Sequence, residues 1–294
     1  MSETDHRAGF VAILGAPNAG KSTLLNRLLG EKLAIVTSKP QTTRSRILGI
    51  LNRPDAQLML LDTPGLHESN KPLNTALNEA VEEALSGCDL ALLLVDRQRG
   101  WGDIQERLFA ELGRAGKPVI VVGTKCDLGR RPGVEWPPQA AAAAEAVMDA
   151  SGVTGEGVEA LLTQMVQRLP ISPPLYPEDE LTDRPLRFLV AELVREAAMD
   201  CLGQELPYTL AVEVTAFDES RRDLTVIRAN VLIARNSQKP IVVGRGGERI
   251  RAIGTRARPA IERLVGGKVH LALFVKVDPK WLKNPKRIEA LGYR

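Results

Sequence analysis

The chain has 294 residues, enough for about two domains that each bury a hydrophobic core. Its apolar and charged fractions, 44% and 26%, are ordinary for a globular protein, no apolar run reaches the length of a membrane span, and the polar N-terminus lacks the apolar core of a signal peptide. The three cysteines, Cys88, Cys126 and Cys201, are widely spaced without a C-x-x-C pair, which argues against a disulfide framework and a zinc site. These features indicate a cytoplasmic protein.

The formal net charge of +3 conceals an uneven distribution. Residues 1–184 carry 19 Lys and Arg against 24 Asp and Glu, whereas residues 185–294 carry 20 against 12. The excess is strongest over residues 230–294, with 15 basic and 4 acidic side chains. Such a bias is typical of a surface that binds nucleic acid or an anionic membrane, and a solvated basic face is the alternative.

The first motif is a glycine-rich loop between a predicted strand at 10–14 and a predicted helix at 22–29. It fits the pattern G-x-x-x-x-G-K-[ST] with Gly15, Ala16, Pro17, Asn18, Ala19, Gly20, Lys21 and Ser22. Glycines let the backbone wrap a polyphosphate, with its amides and the helix N-terminus facing the negative charge. We expect Lys21 to reach the β- and γ-phosphates and the Ser22 hydroxyl to ligate Mg²⁺, with Thr23 completing the nucleotide-binding set. A glycine-rich turn before an ordinary helix is the alternative.

A polar segment at 33–44, predicted to be mobile, is followed by two apolar runs at 47–51 and 57–61 that are typical of a hairpin. The second run ends in Asp62, Thr63, Pro64 and Gly65. A carboxylate at this strand end can hold Mg²⁺ through water, and the Gly65 amide can meet a γ-phosphate.

Predicted strands at 90–96 and 118–123, with a helix near 104–115 between them, continue the alternation of a doubly wound α/β domain with a mostly parallel sheet. After the second strand come Thr124, Lys125, Cys126 and Asp127. The Asp127 carboxylate can accept hydrogen bonds from N1 and N2 of guanine, a donor pair that adenine lacks, and the Lys125 stem can cover the base. The loop at Ser151, Gly152 and Val153 suits amides that reach the exocyclic oxygen of the base.

Four prolines between residues 170 and 177, followed by an acidic cluster, mark residues 170–185 as a partly stiff linker, which predicts a nucleotide domain at 1–169 and a second domain at 186–294. In the second domain we predict a helix at 188–202, strands at 209–217 and 224–234, two short helices around a G-x-x-G loop, and a strand at 269–277. The loop consists of Gly244, Arg245, Gly246 and Gly247.

This element order resembles a smaller α+β K-homology domain of the second topological type. In that module the G-x-x-G loop clamps a single-stranded RNA backbone, which implies contacts from Arg245 and from nearby Lys239, Arg249 and Arg251. Because few aromatics lie near the loop, we expect bases to be recognised by hydrogen bonds and aliphatic packing, and we expect the Trp281 ring to serve in packing.

The N-terminal motifs resemble the translation-factor class of GTPases, whose switch-one threonine matches Thr43 or Thr42 and whose D-x-x-G matches Asp62 to Gly65. Two residues depart from the class: Thr124 replaces the usual asparagine and Gly152 the usual alanine. Asp127 is expected to keep the guanine preference, with an affinity that Thr124 weakens.

The same resemblance implies a catalytic set of Lys21, Thr43, Gly65 and Asn18 and the metal ligands Ser22, Thr43 and Asp62. Leu66 follows Gly65 where many GTPases have the glutamine that orients water, so slow hydrolysis of GTP to GDP is expected. Asn18 matches an asparagine that potassium-activated relatives use to hold K⁺ as an activator, and bracing of the loop is its alternative role.

Taken together, the chain resembles the Era family of ribosome-assembly GTPases over nearly its whole length, including residues 39–44 and 62–66. The resemblance implies a monomeric ribosome-assembly factor that binds GTP, GDP and Mg²⁺ and captures the 3′ end of small-subunit ribosomal RNA during small-subunit maturation. One alternative is a regulatory GTPase whose basic domain docks on a protein or peripherally on the inner face of the cell membrane. Another is a K-homology RNA-binding protein with a degenerate nucleotide domain.

Overall fold

The computed structural model describes residues 6–37, 39, 42–64, 83–129, 131–203 and 206–293, with the backbone alone at residues 207 and 208. The chain divides into two compact units. Unit 1 comprises residues 1–34, 43–68 and 77–183, and unit 2 comprises 35–42, 69–76 and 184–294. Within the described ranges, no helix is both long and apolar enough to cross a membrane.

Unit 1 is built on a six-stranded sheet with the order β2-β3-β1-β4-β5-β6. Its strands are β1 (Arg7–Gly15), β2 (Ile47–Asn52), β3 (Ala56–Asp62), β4 (Leu90–Asp96), β5 (Val119–Thr124) and β6 (Ala146–Ala150). β2 and β3 form the predicted antiparallel hairpin, and the remaining pairs are parallel. The carboxyl ends of five strands therefore meet at one edge, where open α/β sheets bind ligands.

Helices cover both faces of this sheet. They are α1 (Lys21–Leu29), α2 (Asp103–Arg114) and α3 (Val158–Arg168). α2 buries Leu108 and Leu112 in a core with alternate residues of β1 to β5. On the other face, Gly49 of β2 is so close to Leu25 and Leu29 of α1 that a Cβ there would lie 2.6 Å from the Leu29 side chain. The predicted doubly wound domain with a mostly parallel sheet is confirmed, and β6 is a strand that the sequence interpretation did not assign.

The proline-rich segment after α3 is anchored to unit 1. The Ala8 amide donates to Pro170 O at 3.2 Å, and the Ile50 amide donates to Leu181 O at 2.9 Å. Buried Gln57 adds a third attachment, because its Nε2 donates to Tyr176 O at 2.8 Å and its Oε1 accepts from the Leu175 amide at 2.6 Å. These bonds fix the segment along β1, β2 and β3.

Unit 2 combines helices with a three-stranded sheet of order β7-β8-β9. Its elements are α4 (Leu186–Cys201), β7 (Ala211–Asp218), β8 (Thr225–Ile233), α5 (Lys239–Val243), α6 (Glu248–Val265), β9 (Val269–Val277) and α7 (Pro285–Ala290). β7 and β8 are antiparallel, and β8 and β9 are parallel. The predicted α+β order is confirmed, including a helix on either side of the G-x-x-G loop, but only the first helix is short as expected, since α6 has 18 residues.

The core of unit 2 lies between one sheet face and the helices α4 and α6, and includes Val194, Ile227 and Ile261, each fully buried. Trp281 is also fully buried, and its Nε1 donates to Thr209 O at 3.2 Å. The indole is therefore a packing residue, as the sequence analysis expected.

Unit 2 also holds a buried ion pair within α4. The fully buried Arg195 guanidinium donates to both carboxylate oxygens of Glu192, and the Tyr293 hydroxyl donates to Glu192 at 3.4 Å. Arg195 Nη2 also donates to the carbonyl of Thr42, in the short segment 35–42 that belongs to this unit. A buried charge needs such partners, because taking it out of water is costly.

We expect Arg195→Met to lower the free energy of unfolding of unit 2 by about 3–5 kcal/mol, because Glu192 then stays buried without its cation. Urea denaturation and hydrogen exchange of α4 amides measure the loss. The double variant Glu192→Gln with Arg195→Met is the control and should recover part of it. Protection of α4 equal to wild type in the single variant would contradict this account.

Candidate functional site

The glycine-rich loop connects β1 to α1 at the carboxyl edge of the sheet of unit 1. Three positions of its backbone require residues that tolerate positive φ, because Gly15, Asn18 and Gly20 have φ of 146°, 63° and 91°. A Cβ on Gly15 would lie 2.7 Å from Leu94 O, so β4 approaches the loop too closely for any side chain. The loop is closed by a hydrogen bond from the Ala19 amide to Ala16 O at 3.1 Å.

Lys21 folds back over this loop. Its Nζ donates to Gly15 O at 3.0 Å and to Ala16 O at 3.1 Å. Burial lowers the pKa of Lys21 to about 8, although the nearby charge of Asp62 opposes that shift. A buried cation held by two carbonyls can move onto an anionic phosphate, because a charge-assisted bond to phosphate is stronger than a bond to a neutral carbonyl.

Three predicted metal ligands converge beside the lysine. Ser22 Oγ donates to Asp62 Oδ2 at 2.7 Å, lies 2.9 Å from Thr43 Oγ1, and stands in the first turn of α1. Thr43 Oγ1 also donates to Asp62 Oδ2 at 3.4 Å. The structure thus brings together two hydroxyls and a carboxylate from three separate parts of the chain, the oxygen ligands that Mg²⁺ prefers.

The Asp62 carboxylate is fully buried and only partly satisfied. Its Oδ1 has no hydrogen-bond partner among the described residues. Burial raises the pKa of Asp62 to about 6, although the bonds from Ser22 and Thr43 and the charge of Lys21 oppose that shift. An unpaired buried carboxylate oxygen beside two hydroxyls fits a hard divalent cation, directly or through water.

The residues around Asp62 are held by β3. Thr63 Oγ1 donates to Ile13 O at 2.9 Å, which fixes the strand end against β1, and Pro64 is buried behind it. Gly65, predicted as a γ-phosphate contact, and Leu66 lie outside the described residues.

The predicted base motif follows β5. Thr124 Oγ1 donates to Ala19 O at 2.7 Å and lies 3.2 Å from Val95 O, so its hydroxyl connects β5 to the glycine-rich loop. Lys125 has φ 59°, and its Nζ forms an ion pair with Asp96 Oδ2 at 2.7 Å. Asp127 is exposed at the same edge, where its carboxylate is accessible to a ligand.

The last predicted loop packs directly on α1. Buried Ser151 Oγ accepts bonds from the amides of Val153 at 3.2 Å and Thr154 at 3.1 Å, which shapes the turn. A Cβ on Gly152 would lie 3.0 Å from the Leu24 amide nitrogen, so the glycine fits where a larger residue would crowd the helix. Val153 is 66% exposed and borders the base region.

Sequence reasoning missed two residues that hold this site. Asp96 fixes Lys125, and Arg27 Nε donates to Gly152 O at 3.0 Å while its Nη2 donates to Val153 O. The Asp at the end of the predicted β4 strand was a detectable signal for Asp96. Arg27 had none, because its partner carbonyls lie more than 120 residues away in sequence.

A second candidate site is the G-x-x-G loop of unit 2. Gly244, Gly246 and Gly247 have φ of 75°, 57° and 80°, and a Cβ on Gly244 would lie 2.8 Å from that of Arg249. Arg245 at the loop tip is exposed, as are Lys239 and Arg251, and Gly247 directly precedes α6. Arg249 Nη1 donates to Ile241 O at 2.7 Å, so this guanidinium braces α5 against α6.

Comparisons with known protein families match the two units separately. The model of the family described as "50S ribosome-binding GTPase" matches residues 10–125, and the KH domain model matches residues 205–282. With the phosphate loop and the G-x-x-G loop in place, the fold defines a P-loop GTPase joined to a K-homology (KH) domain.

Full-length relatives identify the family. GTPase Era of Stenotrophomonas maltophilia (strain K279a) is 43% identical over 100% of both chains, and GTPase Era of Nitratidesulfovibrio vulgaris (strain DP4) is 40% identical over 99% of this chain and 98% of the relative. The chain therefore belongs to the GTPase Era family and is a GTP hydrolase.

Two solved structures match over the whole chain. A crystal structure of Era in complex with MgGDPNP and nucleotides 1506–1542 of 16S ribosomal RNA has a TM-score of 0.88 and 36% identity, covering 98% of this chain and 99% of that one. A variant of Aquifex aeolicus Era bound to GDP and AlF4⁻ has a TM-score of 0.89 at the same identity and coverage.

The buried carboxyl predicts a pH dependence. The stability that Asp62 contributes is fully present below its unfolded pKa of 3.8 and is lost as pH rises through the folded value of about 6. In nucleotide-free protein held in EDTA, the free energy of unfolding of Asp62→Asn relative to that of wild type should therefore rise by about 1 kcal/mol between pH 5 and pH 7. Urea denaturation at both pH values measures this difference, and an equal difference at the two would contradict the assignment.

Thr124→Val should weaken GDP binding several-fold and lower stability by about 1–3 kcal/mol, because the buried Ala19 carbonyl loses its donor. Thr124→Ser keeps the hydroxyl and serves as the matched control. Fluorescence titration with a labelled GDP and thermal denaturation check both effects. Wild-type GDP affinity in Thr124→Val would show that the connection between β5 and the loop is dispensable.

Proposed function

We propose that this GTPase binds the 3′ end of small-subunit ribosomal RNA through its KH domain, under control of the bound nucleotide, and thereby acts in small-subunit maturation. The observation that carries the proposal is the pairing in one chain of the Ser22, Thr43 and Asp62 cluster with a G-x-x-G loop whose glycines adopt left-handed conformations. The choice of RNA is supported by the Era complex with nucleotides 1506–1542 of 16S ribosomal RNA.

In the nucleotide site, Lys21 leaves its carbonyl partners for the β- and γ-phosphates, and the loop amides line the polyphosphate. Ser22 and Thr43 ligate Mg²⁺, and Asp62 holds it directly or through water. The bound Mg²⁺ neutralises charge on the β- and γ-phosphates.

Guanine specificity comes from the exposed Asp127 carboxylate, with Lys125 covering the base and the Ser151 to Val153 loop facing its exocyclic oxygen. Hydrolysis is slow because Leu66 cannot orient water through its side chain. Asn18, which has φ 63° in the loop, is proposed to supply an oxygen to K⁺, which would neutralise developing charge on the phosphates.

In the KH domain, the loop from Gly244 to Gly247 lets RNA phosphates approach backbone amides at the start of α6. Exposed Arg245, Lys239 and Arg251 supply charge, and half-exposed Ile241 offers an aliphatic surface for bases. Arg249 acts by bracing α5, since its guanidinium is bonded to Ile241 O.

Nucleotide control has a path through segment 35–42. Besides the bond from Arg195 to Thr42 O, the Val36 amide donates to Glu196 Oε1 at 2.8 Å and Lys39 Nζ donates to Leu202 O at 2.6 Å. Thr43, the next residue, belongs to the metal cluster of unit 1. Ordering of Thr43 by the γ-phosphate and Mg²⁺ is thus transmitted to α4 through one peptide bond.

The protein acts as a cytoplasmic monomer.

The test is equilibrium binding of a labelled single strand with the sequence of the 3′ end of small-subunit ribosomal RNA, first with a non-hydrolysable GTP analogue and then with GDP. We expect tighter binding in the GTP-like state and at least a tenfold loss in Gly246→Asp, which places a carboxylate beside the RNA phosphates. Gly116→Asp is the matched control, because Gly116 also has positive φ, 63°, with no atom within 4 Å of a Cβ there.

Lys21→Ala should abolish GTP hydrolysis, measured as phosphate release, and should remove the difference in RNA affinity between the two nucleotide states. Equal RNA affinity in both nucleotide states would contradict nucleotide control. Salt-sensitive binding to anionic vesicles without RNA binding would favour membrane docking instead.

A further inference from the structure

The sheet of unit 2 has two faces of different character. Odd-numbered residues of β8 and β9, among them Ile227, Val231 and Leu271, pack into the core under α4 and α6. The even-numbered residues point the opposite way, because side chains alternate along a strand. We call the exposed part of that opposite side the open face; it consists of Arg228, Asn230, His270, Ala272, Phe274 and Lys276.

Phe274 is the notable residue of the open face. It is 55% exposed, in a chain with only 4% aromatic residues. In the strand register it lies opposite Asn230, and its neighbour on the same side of β9 is the small Ala272. One side of the ring is thus bordered by a small residue, where a flat group can stack.

The side of the sheet that carries the open face is covered at its other end. Leu232 and Ala211 are fully buried there, and the C-terminal segment contributes the buried side chains of Trp281 and Ile288. Arg287 fixes that cover by donating to both carboxylate oxygens of Glu213, at 2.8 and 3.0 Å. The covered part of this side of the sheet is apolar, whereas the open face carries the aromatic ring of Phe274 among polar and basic groups.

The charge of the open face is positive. Arg228 and Lys276 are both exposed on it. Beyond His270, a cavity of about 690 Å³ at the ends of β8 and α6 is lined by Arg221, Arg222 and Lys268, together with Glu219 and Asp223. Asp218, at the end of β7, accepts a bond from the Ser220 amide at 2.9 Å. Basic groups therefore lie on both sides of Phe274 along β9.

We propose that the open face is a second binding surface for single-stranded RNA, separate from the G-x-x-G loop, on which Phe274 stacks with a base while Arg228 and Lys276 contact phosphates. The combination of a basic track with an aromatic platform is the one that single-strand binding proteins use. A protein partner fits less well, because Phe274 is the only large exposed apolar side chain among the described residues of the three strands.

The position of β9 connects the two surfaces. β9 is an edge strand of the sheet. The helices α5 and α6, which the G-x-x-G loop joins, pack on its core-facing side. Leu273 contacts α6 at Gly254, whereas Phe274, the next residue, faces away. An RNA strand that leaves the loop and crosses this edge reaches Phe274. This inference rests on the proposed RNA-binding function and extends it to longer RNA.

The test compares a 5-nucleotide and a 12-nucleotide fluorescent RNA, both binding to the full-length protein with a non-hydrolysable GTP analogue and Mg²⁺. Phe274→Ala should weaken binding of the longer RNA by roughly 5- to 100-fold, the range expected for loss of one base stack, and leave the shorter RNA unchanged. Phe274→Trp should keep the affinity, and Phe274→Leu, which keeps apolar bulk without a ring, should lose it. Because Phe274 is exposed, these variants should fold normally, which thermal denaturation checks.

Charge is tested by salt dependence. Arg228→Ala should reduce the slope of log affinity against log salt for the longer RNA by about 0.7, as expected for one phosphate contact on a single strand, and Arg107→Ala on α2 is the control. Unchanged binding of the longer RNA in Phe274→Ala, with Gly246→Asp still abolishing binding, would overturn the second surface and leave the proposed function intact. Wild-type affinity in Phe274→Leu would overturn the stacking role. Absence of binding of either RNA to the wild-type protein would overturn the proposed function together with this extension of it.

Discussion

The buried Asp62 carboxylate is the constraint on which the nucleotide site depends. One of its oxygens accepts from Ser22 and Thr43, and the other has no partner in the described chain. A buried carboxylate in this state is unfavourable without a nearby cation, so the arrangement favours binding of Mg²⁺. The same carboxylate faces Lys21, which ties the metal position to the phosphate-binding lysine. Loss of either partner would change the charge state of the other.

The two departures from the usual GTPase motifs lie where backbone segments approach closely. Thr124 uses one short hydroxyl to reach Ala19 O, a connection between the base motif and the phosphate loop. Gly152 rests against the first residues of α1, where a Cβ would already be crowded. Arg27 then holds the Gly152 carbonyl from α1. The base loop, the phosphate loop and α1 are thus joined by hydrogen bonds within the protein itself.

The hydrophobic core of unit 2 supports two separate features of that unit. Its core-facing side supports α6 and the G-x-x-G loop, while α4 carries the buried pair of Glu192 and Arg195 that holds the Thr42 carbonyl. Both the G-x-x-G loop and the anchor for the segment before Thr43 therefore depend on one hydrophobic core. The remaining side of the sheet is left with Phe274 and basic residues, which the core does not require.

The sequence by itself determined most strands and helices of both units, the phosphate loop and the G-x-x-G loop, because these follow from local periodicity and from glycines that adopt positive φ, whereas β6 and α7 were not predicted. It also predicted Ser22, Thr43 and Asp62 as metal ligands, through spacing and family resemblance, and the structure brings their side chains together. Only the tertiary structure decided which polar groups distant in sequence pair with one another: Arg195 with Thr42, Arg27 with Gly152, and Lys125 with Asp96. Such contacts join residues distant in sequence, and no local pattern encodes them, because they depend on how the packed elements bring their side chains together.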